Sequence, residues 1–220
     1  MNDDNEILTD SALDFFGKSS ASISHEIKNT IAIIKESAGL IDDFVLATQK
    51  GYPLSPERLA RVAGTINRQV LRTDGIVKNL NQFGHSVDKS SATLDVNDTI
   101  RLAVAIAERP VKMRGVEFGS FEPKEAVTVT TRPFFLLNLI WRSINFAAGC
   151  VDEEKTIALV AEKTAIGAKI SISGLKDLKK AATGIFPGAA EKALSIILKA
   201  ELTLAEDSNR IQLILAADAD

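Results

Sequence analysis

Ser24-His25-Glu26-Ile27-Lys28-Asn29 runs directly into Thr30-Ile31-Ala32-Ile33-Ile34, early in a long segment of helical character. Ile27, Ile34 and Ile41 form one column at a spacing of seven, and Ile31, Ala38 and Val45 form a second. Together the two columns predict a coiled-coil-type seam. His25 precedes the first isoleucine of that seam by a rotation of roughly 200°, so its imidazole is expected on the polar face. Glu26 is its neighbour in sequence, and Asn29 sits one turn further along the same face.

Upstream, Thr9-Asp10-Ser11 offers N-cap residues for a helix reaching about Lys50. Downstream, Gly51-Tyr52-Pro53-Leu54-Ser55-Pro56 breaks that helix. Ser55 then caps a second one, with Pro56 at its first position and helical periodicity from Arg58 onward. There Leu59, Ile66, Thr73 and Leu80 recur at spacing seven, as do Ala63, Val70 and Val77, and Val62, Gln69, Ile76 and Phe83. Two amphipathic helices joined by a short turn predict an antiparallel hairpin with apolar surface to spare. A second copy would cover that surface in a four-helix bundle, so a homodimer is expected.

The polar, small-residue stretch from Gly84 to Thr93 reads as a linker. It separates a hairpin domain, residues 1–86, from a second domain, residues 94–220. Asp95 can cap a helix through Ile106, and short β-like runs follow at Val116-Phe118 and Val127-Thr130. A strongly apolar helix is expected from about Arg132 to Ala148, with strands at Thr156-Ala161 and Lys169-Ser173. A helix at Ala189-Lys199 precedes a closing hairpin, Leu202-Leu204 with Ile211-Leu215, around Glu206-Asp207-Ser208-Asn209. The fold class is therefore α+β: the helical hairpin, then a sandwich of helices on one face of a mostly antiparallel sheet.

Composition narrows the function classes. With 45% hydrophobic and 25% charged residues the chain reads as an ordinary soluble globular protein, and its 220 residues suit two small domains. A net charge of −3 and a pI near 5.6 give no broad nucleic-acid surface. The single Cys150, in an apolar helical stretch, reads as a buried structural thiol. No apolar run of roughly 18 residues occurs, and Met1-Asn2-Asp3-Asp4 is unlike a signal peptide, so a cytoplasmic protein without membrane contact is expected. His85 has no cluster of further ligands near it in sequence, which argues against a metal. Trp141, Phe134 and Phe135 read as core rather than as a stacking site, and Gly184-Ile185-Phe186-Pro187 as a turn entering a helix.

Ser24-His25-Glu26-Ile27-Lys28-Asn29 resembles the phosphoacceptor box of two-component sensor histidine kinases, whose usual form is S-H-E-(hydrophobic)-(R/K)-(N/T)-P. The match departs at Thr30, where the family has proline. The resemblance implies a dimeric helical hairpin followed by an ATP-binding sandwich with an Asn-rich box and glycine-rich turns, an order that suits residues 11–217. The specific motifs survive only in the first third. Aligned with the N-L-L-x-N-A pattern, Leu137-Asn138-Leu139-Ile140-Trp141-Arg142-Ser143 puts Arg142 where an asparagine should hold Mg²⁺, and a guanidinium cannot ligate a cation. Asn145, one turn later, is displaced by about 4.5 Å along the axis. No Asp is followed two positions on by Gly, and no G-x-G occurs among the thirteen glycines. Close approach of backbone N–H groups to phosphates needs such glycines. Ser171-Ile172-Ser173-Gly174-Leu175-Lys176-Asp177 stands where the adenine-binding aspartate would follow a strand, and little room remains for an ATP lid. The second domain is thus expected to be a degenerate ATPase-type sandwich that binds no cofactor.

The resemblance implies a histidine phosphotransferase that exchanges a phosphoryl group between His25 and receiver-domain aspartates without ATP. Mg²⁺ is expected on the partner receiver. Glu26 would accept a hydrogen bond from the imidazole, and Lys28 and Asn29 would contact phosphoryl oxygens or the docked receiver. The Glu26/Asn29 spacing also suits orienting a water, which would make the chain a response-regulator phosphatase. Other readings are a non-catalytic pseudokinase binding module, an active divergent kinase, and an ordinary hairpin whose His-Glu pair is incidental. Arg58, Arg61, Arg68 and Arg72 form either a solvated face or a docking surface for an acidic receiver.

Overall fold

The computed structural model describes residues 2–123 and 125–218. Helix α1 spans Asn2–Gln49 and α2 Pro56–His85; strand β1 is Ala92–Asp95, α3 Val96–Lys112, β2 Glu117–Phe118 and β3 Thr128–Thr131. Helix α4 is Pro133–Ala147, followed by β4 Thr156–Thr164, β5 Gly167–Ser173, α5 Leu178–Ala182 and α6 Ala189–Ile197. Strands β6, Ala200–Ala205, and β7, Arg210–Ala216, close the chain around a 3₁₀ turn at Glu206–Ser208. By contacts the chain forms two compact units, Ser20–Asn81 and Met1–Ser19 together with Gln82–Asp220.

In the first of these units α1 and α2 run antiparallel through a six-residue break. At the start of α2 the expected cap is present: Ser55 Oγ accepts from Arg58 N at 3.3 Å and donates to Glu57 at 2.7 Å. That hydrogen bond holds the Glu57 carboxyl below its ordinary value. Two of the three columns expected on α2 face inward, with Val62 and Ile76 buried and Leu59, Ile66, Gln69 and Thr73 half-buried, while the third, Ala63, Val70 and Val77, is exposed.

The seam expected on α1 is corrected. Ile27, Ile34 and Ile41 do face inward, but beside buried Ile23, Thr30 and Ser37; Ile31 and Val45 are each 53% exposed. The column that is covered is the less apolar of the two, so apolarity alone does not mark the inward side and the position of α2 decides it. Thr9, Asp10 and Ser11 do not start the helix either. They lie inside α1, where Thr9 Oγ1 donates to the Asn5 carbonyl and Ser11 and Phe15 are buried one turn apart.

In the other unit, Asp95 caps α3 as expected, accepting from Asn97 N at 2.9 Å and from Val127 N at 3.2 Å. Helix α3 continues past Ile106, with Pro110 tolerated near its end. The last two residues of the stretch expected to be linker, Ala92 and Thr93, open β1, because the backbone there pairs antiparallel with β3, a partner more than 30 residues away. A separate sheet has the order β2-β4-β5-β7-β6, antiparallel except where β2 joins β4. Along β5 and β7, Ala168, Ile170, Ile172, Ile211, Leu213 and Leu215 are buried while their neighbours are half-exposed. One sheet face therefore lies against the helices and the other against solvent. The α+β class and each strand expected in this sheet are present; α5 has no counterpart in the sequence reading.

Cys150 is a buried free thiol, as expected, pushed up to about 11 by burial. No helix among the described residues is long and apolar enough to cross a membrane.

Candidate functional site

The four residues singled out by sequence share just over one turn of α1. His25, Lys28 and Asn29 are exposed and Glu26 is half-buried. Their positions follow from the inward row Ile23, Ile27, Thr30: His25 falls two residues from either isoleucine, about 200° around the helix, and so projects outward.

Immediately beneath this stretch is a polar contact that the sequence reading missed. Thr30 is fully buried, and Thr73 Oγ1 lies 2.7 Å from Thr30 Oγ1 across the hairpin. Thr30 donates its proton to the Ile27 carbonyl at 2.8 Å, so Thr73 is the donor in the cross-hairpin bond or turns to the Gln69 carbonyl, also 2.8 Å away. At the position where the resembling family has proline, the helix thus carries a threonine whose hydroxyl bonds back to the carbonyl three residues earlier. The spacing-seven columns contained the clue: Thr73 interrupts Leu59, Ile66 and Leu80, and an inward threonine requires a polar partner.

In the α/β unit the polar donors of the stretch aligned with the Asn-rich box are engaged by protein groups, whereas Asn138 Oδ1 is buried without a hydrogen-bond partner. Asn138 is fully buried and its amide donates to Ser11 Oγ at 3.1 Å. Arg142 Nε donates to Glu191 Oε1 at 2.5 Å, and its Nη1 lies 3.8 Å from Asp14. Glu191 is itself buried and accepts from the Gly188 N–H at 2.8 Å. Asn145, weighed as a substitute ligand, donates to the Trp141 carbonyl of its own helix at 2.9 Å. Between these polar anchors Phe15 contacts Phe83, Phe134 and Trp141, with ring centroids 5.1–5.5 Å apart.

After β5 the chain turns at Gly174, φ +86°, where a Cβ would lie 2.0 Å from the Thr156 carbonyl oxygen. That glycine permits backbone to pass backbone. Asp177 adopts a left-handed conformation without capping α5; the Leu178 N–H is instead taken by Asn209 Oδ1 at 3.2 Å.

No protein-family profile matches the sequence, and no curated protein matches it. Solved structures similar to the chain include the nucleotide-free catalytic domain of histidine kinase ThkA, at TM-score 0.47 and 14% identity over 60% of this chain and 100% of that one. The Acinetobacter baumannii histidine kinase AdeS is similar at TM-score 0.45 and 11% identity, over 88% of this chain and 98% of that one. A bacterial phosphotransferase is similar at TM-score 0.45 and 11% identity, over 91% and 95%. The likeness is one of fold alone. A two-helix hairpin followed by an α+β sandwich is the arrangement that the Ser24–Asn29 resemblance implies.

Proposed function

We propose that the chain is a histidine phosphotransfer protein of a two-component or phosphorelay pathway, exchanging a phosphoryl group between His25 and receiver aspartates without binding ATP. The observation that carries the reading is the exposed His25 imidazole within Ser-His-Glu-Ile-Lys-Asn, on the outer face of an antiparallel hairpin. The occupied polar groups of α4 support the ATP-independent form. Arg142 repels a cation at the position aligned with the Mg²⁺-holding asparagine, and its charge is held by Glu191.

In the forward step the unprotonated imidazole nitrogen attacks the phosphorus of a receiver's aspartyl phosphate. The P–N bond forms as the P–O bond to the aspartyl carbonyl carbon's oxygen breaks, and the carboxylate leaves with the electron pair. The ring's other N–H proton is retained or lost to solvent. Glu26 keeps the imidazole oriented, and Lys28 and Asn29 face the transferring oxygens. Mg²⁺ and most of the electrostatic stabilisation come from the receiver. The hairpin unit, Ser20–Asn81, acts as the dimerising phosphoacceptor part and the α/β unit as the degenerate ATPase-like part. Dimerisation is favoured by the exposed apolar flank Ile31, Val45, Val70 and Val77.

A second reading, hydrolysis of the receiver's phosphoaspartate, rests on the exposed Asn29 amide one turn from Glu26, where it can orient a water. The test is acid-labile label transfer from receivers charged with labelled acetyl phosphate, beside a lane of labelled Mg-ATP and a His25→Ala control. Label captured from a receiver, absent from the ATP lane and abolished by the substitution, is the expected result. Release of free phosphate without capture selects the phosphatase, and label from ATP overturns the ATP-independent reading.

A further inference from the structure

Helix α2 has two chemically different flanks. Arg58, Arg61, Thr65, Arg68 and Arg72 succeed one another at steps of three and four and so share one face. Each comes one residue before an inward position: Leu59, Val62, Ile66, Gln69 and Thr73. Ala63, Val70 and Val77 come one residue after inward positions and lie on the opposite flank.

Helix handedness decides which part of α1 each flank adjoins. When two right-handed helices pair antiparallel, residues that precede inward positions turn toward the same side of the pair on both helices. On α1 these are Glu26, Asn29, Ile33, Glu36 and Leu40, preceding Ile27, Thr30, Ile34, Ser37 and Ile41. The arginine flank therefore shares its side with Glu26 and Asn29. The Thr30–Thr73 contact fixes the level, standing Asn29 opposite Arg72. Exposed Glu36 falls near the level of Thr65, the one position in the row that is not arginine.

All four arginines are exposed, and among the described residues none makes an ion pair. Arg58 lies over the Phe44 ring at 4.8 Å and Arg68 donates to Thr65 Oγ1 at 3.0 Å. Composition does not explain such a row, since the chain has 29 acidic residues to 26 basic.

We propose that Arg61, Arg68 and Arg72 form an electrostatic docking row for the acidic face of a receiver domain bearing an aspartyl phosphate. The inference rests on the phosphotransfer reading and adds what selects and guides its partner. An acyl phosphate brings roughly −1.5 to −2 charges toward His25, and receiver carboxylates surround it. Guanidiniums on the same side of the hairpin attract that face over about 8 Å at physiological ionic strength. They also offer forked donors to carboxylate and phosphate. Their effect falls on encounter and half-saturation rather than on the transfer step.

The test uses the full chain carrying Arg61→Gln, Arg68→Gln and Arg72→Gln together, and a receiver domain that labels the wild type. The receiver concentration at half-maximal transfer should rise roughly tenfold at low salt, with the saturating rate kept and the gap closing as NaCl is raised. Chemical labelling of His25 by phosphoramidate, which needs no docked partner, should be unchanged and shows that the nucleophile and fold are intact. Equal half-saturation and equal salt dependence in wild type and variant would overturn the docking row while leaving phosphotransfer standing. Equal loss of phosphoramidate labelling overturns it too, since the arginines would then be supporting the hairpin. A wild type labelled by no receiver removes the phosphotransfer reading and the docking row with it.

Discussion

Thr30 is where the chain departs from the phosphoacceptor pattern, and its chemistry shows what replaces proline. Its hydroxyl lies in the hairpin interior, donates to the Ile27 carbonyl and accepts from Thr73. Proline would remove an N–H and force a bend; threonine keeps the helical ladder and ties α1 to α2 at one level. Thr30→Val keeps the shape and removes the acceptor. Because Thr73 can then turn to Gln69, the loss should be about 1 kcal/mol in denaturant unfolding. Thr30→Val with Thr73→Val should recover part of it, as the one hydroxyl left in the hairpin interior at this level is then gone too. A single variant as stable as the wild type would mean that the cross-hairpin bond contributes nothing net.

At the scale of the element, α2 carries three kinds of surface within one turn: an inward row, an aliphatic flank and an arginine flank. The aliphatic flank matches exposed Ile31, Ala38 and Val45 on α1, so the hairpin leaves a continuous apolar strip on one side. Burying such a strip stabilises a pair of hairpins by about 25 cal/mol for each Å² removed from water. Val70 is 51% exposed and faces away from the hairpin interior. Val70→Asp should leave the helical circular dichroism unchanged and shift the sedimenting species from dimer to monomer. A wild type that already sediments as a monomer, or a variant that stays dimeric, would place the dimer elsewhere or nowhere.

At the scale of the molecule, the first turns of α1 belong to the α/β unit. Ser11, Asp14 and Phe15 meet Asn138, Arg142, Phe134 and Trp141 there. Arg142 is the hinge of this polar cluster because Glu191 is buried and already holds the Gly188 N–H. Arg142→Ala leaves that carboxylate without its cation, and the α/β unit should lose about 3 kcal/mol, read as a lower melting temperature. Arg142→Met with Glu191→Met should restore much of the loss. Arg142→Asn recreates the residue type of the aligned box, yet titration calorimetry should detect no Mg-ATP binding, since the phosphate-cradling glycine turns are missing from the sequence. Binding by that variant would show that one guanidinium alone closes the site.

What the sequence determined by itself is everything carried by local period and local chemistry. The two long helices, the Ser55 cap, the Asp95 cap and the alternating strands were legible because each is specified within a few residues. His25, Lys28 and Asn29 could be placed on the exposed side for the same reason: the neighbouring isoleucines fix the angle. Tertiary structure decided what depends on a partner distant in the chain. It selected Ile23, Thr30 and Ser37 over the more apolar Ile31, Ala38 and Val45 as the inward companions of Ile27 and Ile34, since which side of a helix is covered depends on where the neighbouring helix lies and not on apolarity alone. It made a strand of Ala92–Asp95, whose backbone hydrogen bonds are completed only by Thr128–Thr131. It also gave Arg142 its meaning: sequence could say that a guanidinium does not bind a cation, but only the folded chain brings Glu191, 49 residues away, to hold the charge.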